Sequence, residues 1–341
     1  MKLSDTKEIV KSFVQHNLAL EAGSSNSKYL VPMLHSLPGE GKTTMIENLA
    51  KELGYEIVTL VPAQFDAGEL GGFPIVNKET DTYYRARPFF LPVTDKPTIL
   101  FIDELPQAPT ANQNIIAQLV NERRIGEHTL TSNITLVCAG NPMSARAGTN
   151  PMPSHLKDRL THLHIETDHE GFRNYGLANG FTPEVTGFIQ DRPEFLQKFD
   201  PSQDASPSPR SWERADTILK LKLPAQLEAQ ALKGQIGEAA LADFVGYLRV
   251  YRDLPRSADI FANPTDTMIP TKPDVLYALC SMLAHHTTES NANALVTYIR
   301  RFPQREFAAF LIRDCLKRKP DLKKNKDIIS WVMVEGKELL L

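Results

Sequence analysis

Three short stretches carry side chains that together can handle a nucleoside triphosphate. In "SLPGEGKTT", residues 36–44, Gly39 and Gly41 let backbone N–H groups turn toward phosphate oxygens. Lys42 can span the β- and γ-oxygens, and Thr43 brings a hydroxyl for a magnesium ion. The residues expected to touch the nucleotide are Pro38, Gly39, Glu40, Gly41, Lys42, Thr43 and Thr44. "TILFIDELP" sets two acids at the end of an apolar run. There Asp103 can hold the magnesium ion through water, while Glu104 orients and deprotonates the attacking water. "NITLVCAGNP" ends in Asn141, a neutral polar group suited to placing that water opposite the γ-phosphate.

One position departs from the pattern G-x-x-x-x-G-K-[ST], because Ser36 stands where glycine is asked for. Serine is small, and its place opens the loop away from the closest phosphate contacts, so the substitution is expected to be tolerated. A Gly-Lys-Thr turn can also simply start a helix, and each stretch alone is a weak signal. Their order along the chain favours the chemistry.

These residues need a scaffold that ends strands and starts helices at one edge. The apolar runs "YLVPMLHS", "YEIVTLV", "PTILFID", "NITLVCAG" and "THLHIE" alternate with helical patterns up to about residue 166, which predicts a parallel sheet with helices on both faces. Residues 3–20 carry apolar positions at helical spacing. Between the second and third runs, residues 65–92 are turn-rich, with a hairpin predicted around "NKETDT". Its Tyr83, Tyr84, Phe89 and Phe90 could grip a client or pack as a hairpin base, the commoner fate of apolar side chains. After residue 167 only helical patterns remain, and the Pro- and Ser-rich stretch "DPSQDASPSPR" marks a break. The domain reading is a helix over 1–27, a nucleotide-binding core over 28–200, and a helical lid with further helices over 201–341.

Composition narrows the classes. A formal charge of −3 gives no global attraction to a phosphate backbone, so nucleic acid is not the expected partner. Cys138, Cys280 and Cys315 lack the close spacings of a metal site or disulfide framework and read as buried thiols in a reducing compartment. His35, His162 and His164 have no acidic or cysteine partners at ligand spacing. No apolar run reaches the roughly 20 residues that cross a bilayer, and the charged amphipathic start is unlike a signal peptide; a cytoplasmic protein is expected.

Taken together, "SLPGEGKTT", "ILFIDELPQAPTANQNIIAQLVNERRIG", "CAGNP", "LKDRL" and "SPRSW" resemble the MoxR-like branch of the AAA+ ATPases. The likeness runs over about residues 28–225 and is poor in the C-terminal helices. It implies an αβα sandwich with a five-stranded parallel sheet, followed by an all-helical lid and C-terminal helices. It implies ATP and Mg2+ as cofactors, with Asp103 and Thr43 on the metal and Glu104 and Asn141 in catalysis. Arg159 would be the arginine finger reaching a neighbouring subunit's nucleotide, its planar charge stabilising the transferring phosphoryl group. Arg124 and Arg146 are rivals for that role. Arg210 would be the lid's sensor arginine, acting in cis or in trans. Residues 65–92 would be the family's hairpin insertion.

The resemblance further implies a ring, a hexamer in the family, that remodels or assembles a protein client with a von Willebrand factor A domain protein as partner. ATP rather than GTP rests on the resemblance alone. Two other readings stay open: a nucleotide-gated assembly scaffold with little turnover, and an AAA+ motor on nucleic acid. The basic run "RDCLKRKPDLKKNKD" is ordinarily a solvated helix end, with an acidic partner as the alternative.

Overall fold

The computed structural model describes residues 1–20, 25–142 and 148–336. It divides into two compact units, Met1–Thr167 and Asp168–Leu341.

In the first unit the five apolar runs become β1 (Pro32–His35), β2 (Glu56–Leu60), β5 (Thr98–Ile102), β8 (Ile134–Gly140) and β9 (Thr161–His164). They form one five-stranded parallel sheet in the order β2-β5-β8-β1-β9. Strands β5 and β8 are buried along their whole length, which is why they read as continuous apolar runs rather than as alternation. Their side chains still alternate between faces. Leu100, Ile102, Leu136 and Cys138 meet Ile116 and Leu119 of α4 (Thr110–Glu122). On the other face Ile99, Phe101, Val137 and Ala139 meet Ile46 and Leu49 of α2 (Lys42–Leu53) and Val10 and Val14 of α1 (Leu3–Leu18).

Helix α1 is tied to the sheet by one buried amide. Asn17 Nδ2 donates to Leu30 O and Thr135 Oγ1, both at 2.8 Å, while Asn17 Oδ1 accepts from the Leu30 amide at 2.9 Å. A buried side chain satisfied on both sides fixes the helix register without leaving a desolvated polar atom.

The predicted hairpin is β3 (Pro74–Asn77) paired antiparallel with β4 (Thr82–Arg85), after the short helix α3 (Ala67–Gly71). Of Tyr83, Tyr84, Phe89 and Phe90 only Phe90 is buried, at 2% exposure; Tyr83, Tyr84 and Phe89 are exposed, although the Phe89 ring lies against Phe65 and Phe90. A two-residue ladder, β6 (Arg124–Ile125) with β7 (His128–Thr129), and the short α5 (Ser154–Lys157) complete the unit.

The second unit is helical: α6 (His169–Ala178), α7 (Pro183–Asp191), α8 (Pro209–Lys220), α9 (Ala225–Arg252), α10 (Ser257–Ala262), α11 (Pro273–His286), α12 (Ala292–Ile299), α13 (Arg305–Arg318) and α14 (Lys326–Val334). Trp212 anchors one core, its Nε1 donating to Phe195 O at 2.7 Å and its ring packed on Phe188 and Phe244. Helix α9 breaks at Gly237, whose φ of 74° lies in the left-handed region, and a Cβ there would come within 2.5 Å of Ala205 O. The units divide between Thr167 and Asp168, where the strand pattern stops, and not at the Pro- and Ser-rich stretch. The reason is packing: Phe172, Phe181, Val185 and Phe188 share a core with Trp212 and Phe244. No helix among the described residues is long and apolar enough to cross a membrane.

Candidate active site

The C-terminal ends of β1, β5 and β8 lie side by side in the sheet order β5-β8-β1, and each delivers one of the three stretches. Crevices at the carboxyl ends of parallel strands are where open α/β sheets bind ligands. From β1 the chain runs through residues 36–41 into α2, whose first residues are Lys42, Thr43 and Thr44. Gly39 and Gly41 both have φ of 84°, a conformation that would strain any side chain. Ser36 is not among the residues with positive φ, so the backbone does not require glycine there. The N-terminus of α2, the positive end of its dipole, follows directly on this loop.

Four of the expected residues are joined through their side chains, and a fifth through its amide. Lys42, nearly buried, donates from Nζ to Asn141 Oδ1 at 3.1 Å and to Ser36 O at 3.1 Å. Thr43 Oγ1 donates to Asp103 Oδ2 at 2.8 Å, and Asp103 Oδ1 accepts the Glu104 amide at 2.9 Å. Glu104 is exposed, with φ of 55° in the left-handed region, a strained conformation at the point where β5 gives way to a turn. Close by, Gly140 lets β8 pass the same turn, since a Cβ on it would lie 2.1 Å from Pro106 Cδ. Glu40 is 8% exposed and accepts from Thr167 Oγ1 at 2.6 Å, tying the loop to the last residue of the unit.

Magnesium takes oxygen ligands and keeps several waters, sharing the rest with phosphates. A hydroxyl and a carboxylate 2.8 Å apart beside a helix N-terminus fit such an ion. Among the described residues no group of three or more His, Cys, Asp or Glu could hold a metal by itself. A magnesium ion would be held jointly by Thr43, Asp103 and the phosphates it accompanies.

The arginines separate by environment. Arg124 is engaged within the unit, its guanidinium 2.7 Å from Glu122 and donating to Gly126 O at 3.0 Å. Arg159, just after α5, is exposed and makes no side-chain hydrogen bond or ion pair among the described residues. Arg146 lies outside the described residues. Arg210 sits exposed in the first turn of α8 in the second unit, next to the Ser208–Ser211 capping box.

Two features escape a reading by motif. The Ser36 hydroxyl accepts from Lys42 Nζ at 2.8 Å and donates to Leu37 O at 3.0 Å. Beside it, His35 Nε2 and His162 Nδ1 share a hydrogen bond of 2.8 Å, and the His35 ring stacks on His162 and His164. The strand pairing causes this cluster, because His35 lies opposite His164 in register and both His residues of β9 share its face. Burial, then the His164 and His162 rings and the Lys42 ammonium, push His35 down to about 4. Sequence could have revealed the cluster only with the β1–β9 register in hand.

Residues 32–151 match the ATPase family associated with various cellular activities (AAA). Over 122 residues the chain is 30% identical to the chromosome transmission fidelity protein 18 homolog of Xenopus laevis, covering 36% of this chain and 11% of that protein's length. Two solved structures align over most of the chain at low similarity. A crystal structure assigned as an ATPase from Cytophaga hutchinsonii gives 16% identity, a TM-score of 0.35, and coverage of 91% of this chain and 89% of that one. The replication initiator DnaA bound to AMPPCP and single-stranded DNA gives 14%, 0.36, 97% and 88%. Residues 32–151, which hold β1 to β8 and the loop before α2, thus match an AAA ATPase domain, a family whose members hydrolyse ATP.

Proposed function

We propose that the chain is a ring-forming, MoxR-like AAA+ motor that couples Mg-ATP hydrolysis to remodelling or chaperone-like assembly of a protein client. The observation that carries this is the joined set Lys42–Asn141 and Thr43–Asp103 with Glu104 adjoining. In this reading residues 38–44 hold the phosphates, with Lys42 on the β- and γ-oxygens. Thr43 and Asp103 hold the magnesium ion, which supplies charge neutralisation at the transferring phosphoryl group. Glu104, at the exposed end of β5, takes the proton of the attacking water. Asn141, already hydrogen-bonded to Lys42, orients that water.

Arg159 supports the assembly part of the reading, because an exposed guanidinium without an intramolecular partner among the described residues is free to reach a neighbouring subunit's nucleotide. Arg210 would sense the γ-phosphate from the helical region. A hexamer and a von Willebrand factor A domain partner follow from the family likeness alone. The Xenopus protein's name ties it to chromosome transmission, but this chain spans only 11% of its length, and that role is not carried over.

The test is hydrolysis against protein concentration, with oligomer size followed in the same samples. Turnover should rise with assembly, and Glu104→Gln and Arg159→Ala should each abolish it. Mixing the two dead variants should restore part of the activity, because an interface pairing an intact Glu104 with an intact Arg159 exists only in mixed rings. Wild-type protein that binds ATP and assembles without turnover would favour the gated scaffold instead.

A further inference from the structure

An ammonium group has three N–H donors. Within its own unit Lys42 Nζ already faces Ser36 Oγ at 2.8 Å, Ser36 O at 3.1 Å, Asn141 Oδ1 at 3.1 Å and Leu37 O at 3.4 Å. The shortest of these is the hydroxyl that replaces the expected glycine. That hydroxyl is itself held, donating to Leu37 O at 3.0 Å, so its lone pairs are aimed and its proton is engaged elsewhere. Ser36 is only 4% exposed and Lys42 8%, so water does not dilute the contact. A charge-assisted hydrogen bond in such a place is among the stronger ones a side chain makes.

We propose that Ser36 is a positioning residue that lowers the affinity of this loop for nucleoside triphosphates, by competing with phosphate oxygens for one N–H of Lys42. The proposal rests on residues 38–44 being the ATP loop. The main-chain acceptors Ser36 O and Leu37 O are present whatever residue stands at position 36; the hydroxyl is the acceptor that this chain adds. Since φ at this position does not call for glycine, removing the hydroxyl changes the acceptor set and not the course of the backbone. The result is a loop whose lysine is shared, so that triphosphate is held less tightly and released more readily than by the same loop with glycine.

The experiment is a titration of the full chain with a fluorescent, non-hydrolysable ATP analogue in the presence of magnesium, for wild type, Ser36→Cys, Ser36→Ala and Ser36→Gly, with a thermal midpoint for each. Affinity is expected to tighten about three- to tenfold for Ala and Gly, the range for the net worth of one ordinary hydrogen bond, since the released N–H of Lys42 only exchanges one acceptor for another. Cysteine is larger than serine but a poorer acceptor, so it should fall between serine and alanine. A role in packing alone would place cysteine on the weak side of serine. Equal or weaker binding by both Ala and Gly, or cysteine weaker than serine, overturns the proposal. Should no variant and no wild-type sample bind the analogue, the nucleotide reading itself falls and this proposal with it. Normal wild-type binding with an unmoved series removes only the role of Ser36.

Discussion

Thr43 Oγ1 and Asp103 Oδ2 lie 2.8 Å apart, joining the first turn of α2 to the end of β5. Residues sixty positions apart in sequence thus form one oxygen pair, and the chemistry expected of them depends on both. Thr43→Ala and Asp103→Asn should each raise the magnesium concentration needed for half-maximal hydrolysis by about 10- to 100-fold, the usual cost of losing a supporting metal contact. Nucleotide binding without magnesium should change far less. A magnesium titration of hydrolysis checks this, and an unchanged half-point in both variants would remove the pair from the metal site.

Glu104 separates activity from stability. Glu104→Gln should cut hydrolysis by about 10²- to 10⁴-fold while ATP still binds, the loss expected for a general base. Its left-handed backbone adds a second expectation, since glycine takes that conformation freely while glutamine keeps the strain of about 1 kcal/mol or more. Glu104→Gly should therefore melt no lower than Glu104→Gln, although both are inactive. A clearly lower midpoint for the glycine variant would mean that the Glu104 backbone is not strained.

Gly140 is the tightest backbone approach beside the site. A Cβ there would meet Pro106 Cδ at 2.1 Å and Cγ at 2.7 Å, and Pro106 belongs to the turn that carries Glu104. Gly140→Ala should destabilise by roughly 1–3 kcal/mol, the range for overpacking, and slow hydrolysis by displacing Glu104. Urea unfolding and steady-state turnover together test this; wild-type values in both would show that the turn yields without consequence.

The histidine stack gives a pH dependence with a definite sign. His35 is pushed down to about 4 in the folded chain, against an ordinary value of 6.5. The unfolded chain then binds more protons between those values, so this contribution is complete above 6.5 and is lost as pH falls toward about 4. His285, also pushed down to about 4 by burial and by Arg318, His286, Lys319 and Lys220, acts with the same sign in the second unit. His35→Gln should lose less of its thermal midpoint on acidification than wild type, with His285→Gln flattening the curve separately. Parallel curves for wild type and His35→Gln would exclude the contribution of His35.

The sheet is legible in the sequence because parallel strands covered on both faces must be apolar throughout, and runs such as "TILFID" and "ITLVCAG" have few other uses. The phosphate loop and the acid pair are legible for the opposite reason, since glycines, a lysine and adjacent carboxylates at strand ends are poor packing material. What sequence hides is pairing in space. The reach of Ser36 to Lys42, the histidine stack and the gap that Gly140 leaves for Pro106 all depend on register and loop course. The break in α9 at Gly237 is hidden too, because "LKGQIGEAAL" keeps helical spacing of its apolar residues on either side of the kink.

Cys138, Cys280 and Cys315 are all buried, and burial raises each thiol, Cys138 and Cys315 to about 12. Thiolate, the form that alkylates, is therefore scarce at every native cysteine near neutral pH. The natural chain is in effect already silent toward maleimide dyes. A single cysteine placed at Val76 on the exposed hairpin, or beside Arg159, would take a fluorophore at one defined spot. Motion at those surfaces could then be followed by energy transfer in a protein otherwise left as it is.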